Sequence, residues 1–257
     1  NKAYAEQSTK IINTEVEKLL SLGTIVKLRT SAGQCSTTIL REVSDEEKIT
    51  TIDALGISHC KPDSNSNNTG TIQISGSELS IPVTDVDCKA YPKSENGNDP
   101  ITVCRMNVPT QYSERLTPIE HSIIRPDIDL KVDDLVVTAG FPGVIVPLFE
   151  LITNKGPARS FVSTGVVSSI EISHVANLGK VQIACDTSVA SGGMSGGPTF
   201  LLSNGEIMLT SIVESKCSGN SGPIYEDSLW SESINNNGSV DIPEDFWEWY
   251  DSVFDSN

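Results

Sequence analysis

The chain has 257 residues, enough to bury a substantial core within one structural unit. Its 34 acidic and 18 basic residues give a formal net charge of −16, a field that repels nucleic acid and anionic membrane surfaces and either favours cationic substrates or partners or simply keeps the chain soluble. No apolar run is long enough to span a bilayer, and Asn1 opens no signal peptide, so the sequence reads as one that begins after its removal.

Residues 5–20 read as a helix, because Ile11, Ile12, Val16, Leu19 and Leu20 fall near one helical face, and Gly23 is its stop. Strands follow at 24–28, 35–40 and 49–57, the last leading into His59. Residues 64–70 are too polar and turn-rich for a core element. Residues 71–74 and 79–83 have the pattern of a hairpin, and 101–106 is a further strand. A second half opens near Leu130. It holds strands at 135–138, ended by Gly140-Phe141-Pro142-Gly143, and at 160–172, 181–184, 197–202 and 207–213. Residues 241–254 read as a helix with Pro243 in its early turn, and its aromatic residues Phe246, Trp247, Trp249, Tyr250 and Phe254 pack onto the body. Short β-branched runs between turn-forming clusters, with few aromatics and many Gly, Ser, Asn and Thr, predict an all-β barrel or sandwich. The chain shows no internal repeat.

Six cysteines (Cys35, Cys60, Cys88, Cys104, Cys185 and Cys217) include no C-x-x-C pair, which argues against a zinc site and for disulfides formed in an oxidising compartment. Six cysteines allow about fifteen pairings. Two N-x-S/T triplets, at Asn67 and Asn237, are permissive for glycosylation.

The run Ser191-Gly192-Gly193-Met194-Ser195-Gly196-Gly197-Pro198 carries the chemistry. Glycines on both sides of a serine suit a tight turn that exposes the hydroxyl and aims backbone N–H groups at an oxyanion. Gly193 to Gly197 also fits the G-x-S-x-G elbow of α/β-hydrolases, but that arrangement needs a histidine after the serine, and His59, His121 and His174 all precede Ser195. A subtilisin-type order would need an acid before His59; Asp45 and Asp53 stand there without a convincing motif. The order His, Asp, Ser remains.

In that order along the chain, several segments resemble the chymotrypsin-like (trypsin-like) serine protease family. Cys35-Ser36-Thr37-Thr38-Ile39-Leu40 is similar to the family's cysteine-containing strand, and the stretch from Ile49 to Ile57-Ser58-His59-Cys60 to the strand ending in Ala-Ala-His-Cys. Asn98-Asp99-Pro100-Ile101 is similar to Asn-Asp-Ile-Ala-Leu with Pro100 inserted, and Gly193 to Pro198 matches the serine motif. The resemblance implies two six-stranded antiparallel β-barrels with the active site in the cleft between them. It implies the partition 1–23 N-terminal helical extension, 24–125 first barrel, 126–240 second barrel and 241–257 C-terminal helix.

The roles implied are those of a peptide-bond hydrolase. Ser195 attacks the scissile carbonyl, His59 takes and returns the proton, Asp99 orients the imidazole, and the N–H groups of Gly193 and Ser195 form the oxyanion hole. Asp127 and Asp129, in Pro126-Asp127-Ile128-Asp129-Leu130, also resemble the acid's motif; the strand lead-in that follows them favours Asp99. Val189 stands where the trypsin branch carries its pocket aspartate, which argues against trypsin's way of selecting Arg or Lys. Glu214 would place a negative charge in the substrate pocket, or is a commonplace surface loop glutamate. The resemblance implies a Cys35–Cys60 bridge; with it set aside, the presumed neighbouring strands suggest Cys88–Cys104 and Cys185–Cys217.

Zymogen-activated members carry Asp before the serine, where this chain has Met194, so it looks closer to the bacterial and glutamyl-endopeptidase-like branches. The expectation is a monomeric serine endopeptidase, secreted or periplasmic, acting on protein or peptide without metal or organic cofactor, nucleic acid or membrane. The alternative is a protease-like binding protein that has lost catalysis or holds it latent.

Overall fold

The computed structural model describes residues 13–45, 48–62, 68–91, 101–143, 156–175, 179–217 and 235–254. Helix α1 (13–21) buries Val16 and Leu20 and ends at Gly23, which takes φ +69°. A Cβ on Gly23 would lie 2.2 Å from the Arg115 carbonyl oxygen, so this stop needs glycine for space as well as for conformation. The expected helix begins at residue 5, and its first turns lie outside the described residues.

Six strands then form the first barrel: β1 (Ile25–Thr30), β2 (Gly33–Asp45), β3 (Ile49–Ile57), β4 (Gly70–Gln73), β5 (Ile81–Ala90) and β6 (Ile101–Pro109). They close in the order β1-β2-β3-β6-β5-β4, which leaves no open edge. Inward alternation fills the interior with Val26, Ile39, Ile52, Ile72, Val83 and Met106. The β4–β5 hairpin pairs antiparallel, with Ile72 opposite Ile81.

The second barrel comprises β7 (Leu135–Gly140), β8 (Phe161–Val175), β9 (Gly179–Ala190), β10 (Pro198–Ser203), β11 (Glu206–Lys216) and β12 (Asn235–Asp241), closed as β10-β11-β12-β9-β8-β7. β12 corrects the sequence reading, which has no strand before Asp241 and starts a helix there. Asn235-Asn236-Asn237 lacks apolar alternation, and buried polar partners hold Asn237 instead. The Asn237 amide donates to Asp186 at 2.9 Å, to Ser239 at 2.8 Å and to Thr138 at 3.3 Å. Asn237 is fully buried, so the folded chain presents no acceptor there for a glycan; Asn67 lies outside the described residues.

Disulfides join Cys35 of β2 to Cys60, Cys88 to Cys104 across β5 and β6, and Cys185 of β9 to Cys217. Between the barrels one apolar cluster draws Leu55 and Ile57 from the first and Val137, Phe141, Phe200 and Ile212 from the second.

Helix α2 (Phe246–Phe254) leaves the second barrel and docks through Phe246, Trp249, Tyr250 and Phe254. Its deepest anchor lies in the first barrel. Asp53 of β3 is fully buried, accepts two hydrogen bonds from Arg105 of β6 at 2.8 and 2.9 Å, and accepts a third from the Tyr250 hydroxyl. The Arg105 guanidinium also donates to the Phe254 carbonyl at 3.2 Å and covers the Phe254 ring. Asp53 thus receives a structural role, and the subsistence of a subtilisin-type order has no support in its surroundings.

Candidate active site

His59 occupies the 3-10 turn Ser58–Cys60 that ends β3. Two constraints fix that turn: Ile57 pairs with Ile101 of β6, and Cys60 is bonded to Cys35. The Cys60 sulfur lies 3.8 Å from the Ser195 carbonyl oxygen, which brings the histidine turn of the first barrel against the serine loop of the second.

The serine loop is held from three sides. From the first barrel, the Ser36 N–H donates to the Ser195 carbonyl at 2.9 Å. The Ser36 hydroxyl donates to the Gly193 carbonyl and accepts from the Phe141 N–H, both at 2.9 Å. From β11, Gly196 N–H donates to the Val213 carbonyl and Val213 N–H to that of Gly197, each at 2.8 Å. From the chain after β7, Gly143 N–H donates to the Gly192 carbonyl at 2.7 Å.

The glycines are steric requirements. Gly193 has φ +92°, and a Cβ there would lie 2.6 Å from the Phe141 carbonyl oxygen. Gly196 has φ +81°, and a Cβ there would lie 2.4 Å from the Ser36 carbonyl oxygen. Met194 is fully buried, which anchors the loop between Ser195 and the core. Among the described residues no hydrogen bond uses the N–H of Gly193 or Ser195, whereas the N–H groups of Met194, Gly196 and Gly197 are all engaged. Two backbone donors flanking an accessible serine are what stabilisation of an oxyanion requires.

Glu214 lies on β11, directly after Val213. Its side chain is 3% exposed, and its Oε1 stands 3.9 Å from Nδ1 of His59, whose own side chain is 46% exposed. The other oxygen, Oε2, is buried without a hydrogen-bond partner. Partial burial pulls the His59 imidazole below its ordinary value of 6.5, and the Glu214 carboxylate pulls it part of the way back. Glu214 is therefore a buried strand residue, which corrects the surface-loop alternative. A carboxylate two residues beyond the fully buried Ile212, in Ile212-Val213-Glu214, was the one local signal that it is no ordinary surface group.

Asp99 lies outside the described residues. Asp127 is exposed and bound by Arg125 at 2.7 and 2.8 Å, an interaction that holds its carboxyl below the usual range. Asp129 is exposed as well, and neither residue has a described contact with His59. Val189 is half-buried on β9, paired with Asn236 of β12, and its N–H donates to the Ser163 hydroxyl at 2.9 Å. His121 stacks on Trp247 with ring centroids 4.2 Å apart and is engaged there, and the backbone of His174 pairs with that of Lys180 in the β8–β9 ladder. The holding roles of Ser36 and of Gln34, whose amide donates to the Phe141 carbonyl at 2.7 Å, have no signature in the sequence. Among the described residues no group of three or more His, Cys, Asp or Glu side chains is placed to hold a metal ion.

Neither family models nor curated protein sequences match the chain. Solved structures do. The chain is similar to an inactivated protease paralogue of the scabies mite, with TM-score 0.54 and 13% identity over 93% of this chain and 97% of that one. It is similar to a thermostable serine protease from an extremophilic microorganism, with TM-score 0.51 and 12% identity over 93% and 100%. The Rv3671c protease in its inactive form gives TM-score 0.50 and 13% identity over 86% and 84%. The fold is chymotrypsin-like. At such identities the likeness carries the architecture, and two of these three neighbours are described as inactive. One fold hosts many chemistries, and the site decides which.

Proposed function

We propose that the chain is a serine endopeptidase that hydrolyses peptide bonds in protein or peptide substrates through an acyl-enzyme. Ser195 is the nucleophile, His59 the general base and then the general acid, and Asp99 the acid that orients the imidazole. Gly193 and Ser195 supply the oxyanion donors. One observation carries this reading. The serine loop is held through Ser36, Gly143 and Val213, while the N–H groups of Gly193 and Ser195, beside the His59 turn, have no partner among the described residues.

The three disulfides fit a secreted or periplasmic enzyme. The buried Met194 fits an enzyme that does not depend on a freshly cut N-terminus pairing with an acid at that position, as in the bacterial and glutamyl-endopeptidase-like branches. An imidazole held below its ordinary value of 6.5 stays neutral, and so competent as a base, over the whole neutral range.

Hydrolysis of a peptide library by wild type and by Ser195→Ala tests the reading. The variant should lose activity on the order of 10⁶-fold with its fold intact, the scale set by removing the nucleophile of another serine protease. The acid limb of kcat/KM should fall below pH 6.5. Hydrolysis that survives in Ser195→Ala would overturn the assignment.

A further inference from the structure

We infer that Glu214 is a positioning residue for His59, its carboxylate holding the Nδ1 edge of the imidazole from the second barrel. The inference rests on the proposed nucleophile–base pair and adds to it a charge that β11, rather than the first barrel, delivers. Three observations carry it. Oε1 faces Nδ1 at 3.9 Å. The side chain is almost wholly withdrawn from water, and Oε2 has no partner. The same strand grips the serine loop through Val213, the preceding residue, so nucleophile and carboxylate are set by one element.

A buried carboxylate with an unpaired oxygen is costly, and such groups in folded proteins call for a specific reason. Here the reason is the charge that His59 acquires when it takes the Ser195 proton. The separation is too long for a direct hydrogen bond in the resting state; such contacts tighten once substrate is bound and the imidazole becomes cationic. Among the described residues no other carboxylate oxygen lies within 4 Å of a His59 ring nitrogen, and Asp53, the buried acid of β3, is committed to Arg105 and Tyr250. Cys60, next to His59 in the turn, is in a disulfide and does not titrate.

Two measurements on Glu214→Gln test the inference. The first is the NMR titration of His59, told apart from His121 and His174 by a His59→Ala control. The second is the rate of fluorophosphonate labelling against pH. Removing the charge should move the His59 titration and the acid limb of labelling to lower pH. The plateau should drop at least about tenfold, within the ~10⁴-fold loss that follows conversion of a triad acid to its amide. Glu214→Asp should restore part of both, and it supplies the comparison if the glutamine variant fails to fold.

An unmoved His59 titration overturns the inference. So does an unchanged labelling plateau, which would leave Glu214 no part in setting the reactivity of Ser195. The titration needs no turnover, so the two readings fail separately. Labelling of wild type with no His59 shift overturns the role of Glu214 alone. A His59 shift in a protein whose wild type takes no label overturns the protease reading and keeps the pair.

Discussion

Gly196 shows how the serine loop depends on single atoms. With φ +81° and the Ser36 carbonyl 2.4 Å from where a Cβ would stand, Gly196→Ala must move backbone that also holds Ser195. Gly205, in the β10–β11 turn, has φ +83° and open space. Gly205→Ala should therefore cost only the backbone term, about 1–3 kcal/mol. Gly196→Ala should lower the urea midpoint further and also abolish labelling at Ser195. Equal midpoints with labelling retained would contradict the steric account. The motif around Ser195 is legible in sequence because tight turns and close approaches admit few residues. The approach of Glu214 to His59 is not, because the facing of two side chains 155 positions apart, from 214 to 59, is decided by how the barrels dock.

Among the elements, strands written in β-branched residues were readable and β12 was not. Its Asn237 and Asp241 face polar groups inside and beside the barrel, so the apolar period that marks a strand is missing. Asp241 accepts from the Ser211 hydroxyl at 2.6 Å, and burial pushes its carboxyl up to about 6 from 3.8. A carboxyl raised in the folded state stabilises fully below its unfolded value, and that contribution is lost as pH rises through the folded one. Asp241→Asn should thus leave stability near pH 4 little changed and raise it, by on the order of 1–3 kcal/mol, above pH 7. Burial raises Asp186 too, in the same direction, so the difference between wild type and variant in urea midpoints at the two pH values is the quantity to read. A difference independent of pH would contradict the assignment.

Across the whole molecule, α2 ties the second barrel back to the first. Tyr250 reaches Asp53 across 197 positions of sequence, and Trp249 meets the ring of Tyr91 edge-on at 5.3 Å. Aromatic residues announced a packed C-terminal helix, but Asp53, Arg105 and Tyr250 are too far apart in sequence for their shared site to be read there. Tyr250→Phe removes a hydrogen bond to a buried carboxylate while Arg105 stays paired, and should cost about 1.5–3 kcal/mol. The urea transition should remain single by near- and far-UV circular dichroism, since α2 couples the two barrels; a split into two transitions would show that they unfold independently.

Covalent labelling of the folded protein by a fluorophosphonate probe reads the activation of Ser195 itself. Wild type should be modified stoichiometrically at Ser195, and Ser195→Ala not at all. A folded wild-type protein that takes no label would contradict an activated nucleophile and favour a protease-like binding protein that keeps the fold without the chemistry.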